Sequence, residues 1–168
     1  PYLLKLIKKG YKVAICEQLS EPNGKELVKR DVIRICTAGT VIEDALIDEK
    51  VNNFIASVCL IGKEYAISWV DITTGEFFVQ TFGGENAFTE FLDAVVRVSP
   101  VEVITNSVLF EQSKEIPLVK NKVLPTFCLY TDSNFNFISA EKTLKEQFNV
   151  LNLNAFNLEE NKIAISAA

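Results

Sequence analysis

Between residues 54 and 82, three apolar runs of strand length (54–61, 65–70 and 77–82) are separated by two short polar breaks. Breaks that brief join strands only as antiparallel hairpins, turning at Gly62-Lys63 and at Thr74-Gly75. A three-stranded antiparallel meander is therefore predicted for this stretch. Its second hairpin, Tyr65-Ala66-Ile67-Ser68-Trp69-Val70-Asp71-Ile72-Thr73-Thr74-Gly75-Glu76-Phe77, carries a carboxylate where the outgoing strand ends. Asp71 has two readings. It is a metal ligand of a nuclease-type site, or it accepts backbone N–H bonds two residues on and holds the turn together with Thr74 and Gly75. The turn is the commoner use of an acid in that position, and it is the reading favoured here.

Before the meander, Tyr2-Leu3-Leu4 and Ile7, interleaved with Lys5, Lys8 and Lys9, predict the last turns of an amphipathic helix stopped at Gly10. Residues 11–16 and 31–37 read as strands, with a turn at Glu21-Pro22-Asn23-Gly24 between them. Residues 40–52 hold four acids (Glu43, Asp44, Asp48 and Glu49) and no clear period, which predicts a linker with a short helix near 45–50. After Gly83-Gly84, residues 86–98 predict a helix with Phe88, Phe91, Leu92, Val95 and Val96 on its apolar side. A strand over 101–105, helices over 108–114 and 141–148, and a strand over 126–130 follow, and 162–168 is an apolar segment without a capping signal. The order places the chain in the α/β class, and a meander followed by α/β units resembles the ribonuclease H-like arrangement.

Composition narrows the chemistry. At 168 residues, 48% apolar and with twelve phenylalanines, the chain suits one domain, or a domain plus a fragment, with a sizeable core. Its apolar runs fall short of the roughly 18 residues that span a bilayer, and no secretory leader is expected. There is no histidine, and Cys16, Cys36, Cys59 and Cys128 form no C-x-x-C pair, so the usual zinc sites and His-based nucleophile systems are excluded. Each cysteine lies in an apolar stretch and is expected to be a buried, reduced thiol, as in a reducing cytoplasm. No complete phosphate-binding glycine motif occurs.

The net charge of −5 divides unevenly: residues 1–39 hold eight Lys/Arg against four Asp/Glu, and the rest hold nine against eighteen. The basic head is the part suited to lie near nucleic acid, with Lys8, Lys9 and Lys12 as DNA-proximal candidates, although exposed lysines more often form a solvated face. A ribonuclease H-like nuclease needs three or four carboxylates converging on two divalent ions about 4 Å apart. The candidates are Asp71, Glu102 and Asp132. Glu102 alternates with Val101 and Val103 and is expected to face solvent, while Asp132-Ser133-Asn134 reads as a turn.

Gly10-Tyr11-Lys12-Val13-Ala14-Ile15-Cys16-Glu17-Gln18 resembles the end of the mismatch-recognition domain in the MutS family of DNA mismatch-repair proteins. The resemblance continues in order through Glu21-Pro22 and through Val28-Lys29-Arg30-Asp31-Val32-Ile33-Arg34-Ile35-Cys36-Thr37-Ala38-Gly39-Thr40. Asn52-Asn53-Phe54-Ile55-Ala56 is similar to the start of the family's connector domain, and Val70-Asp71-Ile72-Thr73-Thr74-Gly75-Glu76-Phe77 to its hairpin. Ser99-Pro100-Val101-Glu102-Val103 and Phe156-x-Leu158 fit more loosely.

The resemblance implies the last part of a mismatch-recognition domain (1–39), a linker (40–52) and a connector domain (53–168) cut at the start of its final helix. It implies a ribonuclease H-like connector without nuclease activity, which relays between mismatch recognition and the ATPase and clamp domains and docks a MutL-type partner. The whole protein is expected to bind mismatched DNA, ATP and Mg²⁺ as a homodimer in the bacterial cytoplasm, at the nucleoid during repair. Two family features are missing. Phe88-Thr89-Glu90 has the letters of the mismatch-reading Phe-x-Glu element but falls inside a predicted helix of the other domain, and no Walker motif is present. The chain itself is thus expected to need no cofactor, to cross no membrane and to catalyse nothing. The rival expectations are a divergent Mg²⁺-dependent nuclease using Asp71 and a weak nonspecific DNA binder using the basic head.

Overall fold

The computed structural model describes residues 2–7, 9–19, 27–40, 52–158 and 160–168. The chain divides into two units, 1–51 and 52–168. The predicted turn at 21–24, the predicted helix near 45–50 and Lys8 lie outside the described residues.

In the first unit, α1 (Tyr2–Ile7) is stopped at Gly10, whose φ of +80° suits the residue without a Cβ and whose N–H donates to Ile7 O at 2.8 Å. β1 (Val13–Gln18) pairs antiparallel with β2 (Arg30–Cys36), from Val13 opposite Cys36 to Gln18 opposite Arg30. Ile7 and Cys36 are its buried pair, flanked by Leu3, Val13, Ile15 and Ala38. Val32, Ile33 and Ile35 are exposed.

The second unit is a five-stranded mixed sheet in the order β5-β4-β3-β6-β7. β3 (Phe54–Ile61), β4 (Glu64–Asp71) and β5 (Glu76–Phe82) form the antiparallel meander that the short turns demand. α2 (Ala87–Val98) then carries the chain across, so that β6 (Glu102–Thr105) joins β3 in parallel, and β7 (Phe127–Leu129) joins β6. α3 (Ser107–Ser113) and α4 (Pro117–Lys120) connect β6 to β7, and α5 (Phe137–Phe148) and α6 (Lys162–Ala167) complete the unit.

Strand alternation sorts the side chains onto two faces. Ala56, Val58, Ile67 and Val103 lie on one, under Phe91 and Val95 of α2. Cys59 and Ala66 lie on the other, against Ile163 and Ala167 of α6. Beside these, Ala140, Leu144, Leu153 and Ile165 form a further cluster with Phe77 of β5.

Several sequence expectations change. The buried stripe of α2 is Ala87, Phe91, Ala94 and Val95, whereas Val96 is exposed, because the next position on a 3.6-residue period rotates off the stripe. α5 starts at Phe137 rather than 141: the Asn136 side chain accepts from the N–H groups of Ile138 and Ser139, a cap hidden in a run that reads as a loop. Residues 162–168 are capped after all, by Asn161, whose side chain accepts from Ala164 N at 3.1 Å. α4 has no counterpart in the periodicity.

Candidate functional site

Asp71 is the last residue of β4, opposite Phe54 at the start of β3, and is 1% exposed. Its Oδ1 accepts the Thr73 N–H at 2.9 Å and the Thr73 hydroxyl at 2.6 Å, and its Oδ2 accepts the Asn53 N–H at 3.0 Å. The Asp71 carbonyl takes the N–H of Gly75 at 2.8 Å, and Gly75 closes the turn with a φ of +77° that favours glycine. Thr74 Oγ1 accepts the Glu76 N–H at 3.3 Å. Burial works to raise the Asp71 pKa, but hydrogen bonds from the Thr73 hydroxyl and from the Asn53, Thr73 and Thr74 N–H groups outweigh it. The carboxyl is held below the usual value. Both oxygens are thus engaged with protein donors, an arrangement that builds structure and leaves little to offer a cation.

The three candidate carboxylates do not converge. In the sheet register Asp71 stands opposite Phe54 and Glu102 opposite the next residue, Ile55, so the two acids lie on opposite faces. Asp132 follows β7 at the far end of the sheet, beyond Leu129, which pairs with Thr105 at the C-terminal end of β6. There its carboxylate accepts the Ser107 N–H at 2.7 Å and the Ser107 hydroxyl at 2.6 Å, and these bonds hold its pKa below the ordinary value. It ties the start of α3 to a 3-10 turn over Asp132–Phe135. Glu102 is half-buried rather than solvent-facing. Alternation does place it on the face opposite Val103, but a strand's own pattern does not reveal how far that face is covered. Among the described residues, no group of three or more His, Cys, Asp or Glu is placed to hold a metal ion.

The remaining candidates are scattered. Lys9 and Lys12 are exposed beside α1 in the first unit. Cys36 and Cys59 are buried, whereas Cys16 is exposed and Cys128 half-buried. Cys16 falls with Ala14 on the exposed face of β1, which ends in three consecutive exposed residues, and Cys128 lies on a three-residue edge strand, so an apolar neighbourhood in sequence did not bury either thiol. Burial pushes the Cys59 thiol up to about 12, which removes it as a nucleophile. Phe88 of the Phe88-Thr89-Glu90 sequence is half-buried on α2, close to Tyr65, with ring centroids 5.6 Å apart.

A cavity of about 300 Å³ lies between the sheet and α5, lined by polar Ser57, Tyr130, Asn134, Ser139, Thr143 and Ser166 and equally by apolar residues, among them Ile104, Phe135 and Leu144. Its lining side chains include no carboxylate, amine or thiol, and the Tyr130 phenol is the acid–base group among them. The sequence reading missed Asn106, which is buried, caps α3 and bonds back to Leu60 of β3. Its signal was local: an Asn immediately before a helical run.

Two family models cover nearly the whole chain: one described as MutS domain II over residues 53–168 and one described as MutS domain I over residues 1–45. A protein of Symbiobacterium thermophilum described as DNA mismatch repair protein MutS is 38% identical over 99% of this chain and 19% of its own length. The protein of the same description from Acetivibrio thermocellus is 40% identical over 94% of this chain and 18% of its own length. The chain therefore spans about a fifth of the length of the curated relatives it matches.

Proposed function

The chain belongs to the MutS family of DNA mismatch repair proteins, and from that premise we propose that it supplies a non-catalytic connector of a longer repair protein. In this reading residues 1–39 close a mismatch-recognition domain, 40–52 link, and 53–168 form the connector. The observation that carries it is the dispersal of Asp71, Glu102 and Asp132 over two faces and two ends of the sheet. A body that spends Asp71 on a turn and Asp132 on a helix start is suited to transmit position rather than to cut a phosphodiester.

The meander followed by α/β units supports a ribonuclease H-like connector that has no use for metal ions. Working between mismatch recognition and the ATPase and clamp domains, it relays the state of one to the other and docks a MutL-type partner. The whole protein binds mismatched DNA, ATP and Mg²⁺ as a homodimer in the bacterial cytoplasm, gathering at the nucleoid during repair, while this chain itself needs no cofactor. Among the described residues no helix is long and apolar enough to cross a membrane.

The reading is tested by titrating the chain with the N-terminal domain of a MutL-type protein while circular dichroism follows the fold. Saturable binding is expected, and none with the fold intact removes the docking claim. A nuclease assay in Mg²⁺ or Mn²⁺ is the second arm: cleavage by the unchanged chain that Asp71→Asn abolishes would overturn the non-catalytic reading.

A further inference from the structure

The Asp71 carboxylate does more than its turn requires. Closing the β4–β5 hairpin takes the Thr73 N–H and hydroxyl on Oδ1 and the Gly75 N–H on the Asp71 carbonyl. The other oxygen, Oδ2, reaches beyond the hairpin to a different segment, accepting the N–H of Asn53, where the chain enters the second unit. The next residue, Phe54, is fixed from the other side, its carbonyl accepting the Val101 N–H at 2.9 Å. Asp71 is itself 1% exposed, while Thr73 and Gly75 at the tip are exposed and Asn53 is half-buried, so the carboxylate is the shielded member of this set.

We propose that Asp71 is a mechanical coupler that makes residues 52–53 and the hairpin tip at 72–75 one body, so that a displacement of the incoming chain is delivered to the tip. A carboxylate is the side chain suited to this, since it alone offers two acceptor oxygens and no donor. Asparagine serves one segment and turns an N–H₂ toward a donor of the other. The coupling is a property of these bonds, while its use as a relay rests on the connector reading above.

Amide hydrogen exchange on the full chain, read residue by residue by NMR, tests the coupling. Asp71→Asn is expected to speed exchange at Asn53 and at Thr73 or Gly75 by about tenfold, the worth of a lost charge-assisted bond, while Val58 and Ile67 stay protected. Thr73→Val keeps the carboxylate and removes only a hairpin-side donor. It is expected to speed exchange at Asn53 as well as at the tip, and it carries the test if Asp71→Asn fails to fold. A Thr73→Val chain in which Asn53 exchanges as slowly as in the unchanged chain overturns the proposal. Failure of the connector reading shows instead in the MutL titration and leaves the exchange result standing.

Discussion

The side-chain amide of Asn106 stands in for a strand residue opposite Leu60. Its Nδ2 donates to the Leu60 carbonyl at 2.9 Å, while its Oδ1 accepts the Leu60 N–H at 3.4 Å. β6 ends at Thr105, paired with Val58, so these bonds carry the β3–β6 ladder one step beyond the backbone of β6. The same Oδ1 accepts the Leu109 N–H at 3.3 Å and so starts α3. One buried amide thus ends a strand, extends its ladder and opens a helix.

Asn106→Ala should therefore cost more than an ordinary cap. It leaves the part-buried Leu60 N–H and carbonyl and the buried Leu109 N–H without this partner, and a loss of about 2–3 kcal/mol is expected. Asn106→Asp keeps the acceptor but loses the donor to the Leu60 carbonyl, and should also destabilise. Urea unfolding followed by the single tryptophan, Trp69, which stacks on Phe78 with centroids 5.4 Å apart, measures both. A midpoint unchanged in Asn106→Ala would refute the role.

α6 has only six residues, too few to persist alone, and sheet side chains hold it at both ends. Asn161 caps Ala164 N and donates to Thr81 Oγ1 at 3.3 Å, and Ser68 donates to the Ala167 carbonyl at 2.6 Å. Asn161→Ala should cost about 1 kcal/mol through the cap, and Ser68→Ala about 1 kcal/mol through the lost hydrogen bond. The two sites share one short helix, so the double variant is expected to depart from additivity in a thermal-melt cycle.

Legibility in the sequence followed the range of the interaction. The second hairpin could be read because Thr73-Thr74-Gly75 writes its turn within a few residues. The same locality makes the bond from Thr73 to Asp71 foreseeable, since Asp bonding two residues on is a backbone habit. The bond from Asn53 to Asp71 was not foreseeable: it spans 18 residues and exists only once β3 and β4 are in register. Glu102 shows the same limit, because alternation assigned its face but not how far the folded chain covers that face. Asn136 and Asn161 were written as caps but sat among turn residues, so the helices they open were read short or not at all.

The cysteines should separate by reactivity. Iodoacetamide reacts with the thiolate, so exposed Cys16 is expected to be modified first and half-buried Cys128 more slowly. Cys59, buried and with its thiol pushed up to about 12, should react only on unfolding, together with Cys36. Peptide mass spectrometry over a time course with and without urea reads the order. Labelling of Cys59 as fast as Cys16 in the native chain would contradict the packing of α6 on the sheet.

Acid should weaken the second unit partly through Asp71. Its pKa is held below the ordinary carboxylate value when folded, so the unfolded chain binds its proton at a higher pH than the native one. The stability this group contributes is therefore present in full above about pH 4, the unfolded value, and is lost as pH falls from there through the lower native value. Asp132 is shifted in the same direction by Ser107, but it is exposed, and screening leaves it a small share. Thermal melts between neutral pH and pH 3 should show a steeper acid loss for the unchanged chain than for Asp71→Asn, which has no proton to take up. The two curves should run closer together toward the acid end, where protonated Asp71 can no longer accept from both Thr73 and Asn53 as a charged group. Parallel curves across the whole range would mean that burial, which pushes the carboxyl upward, offsets its four hydrogen-bond donors.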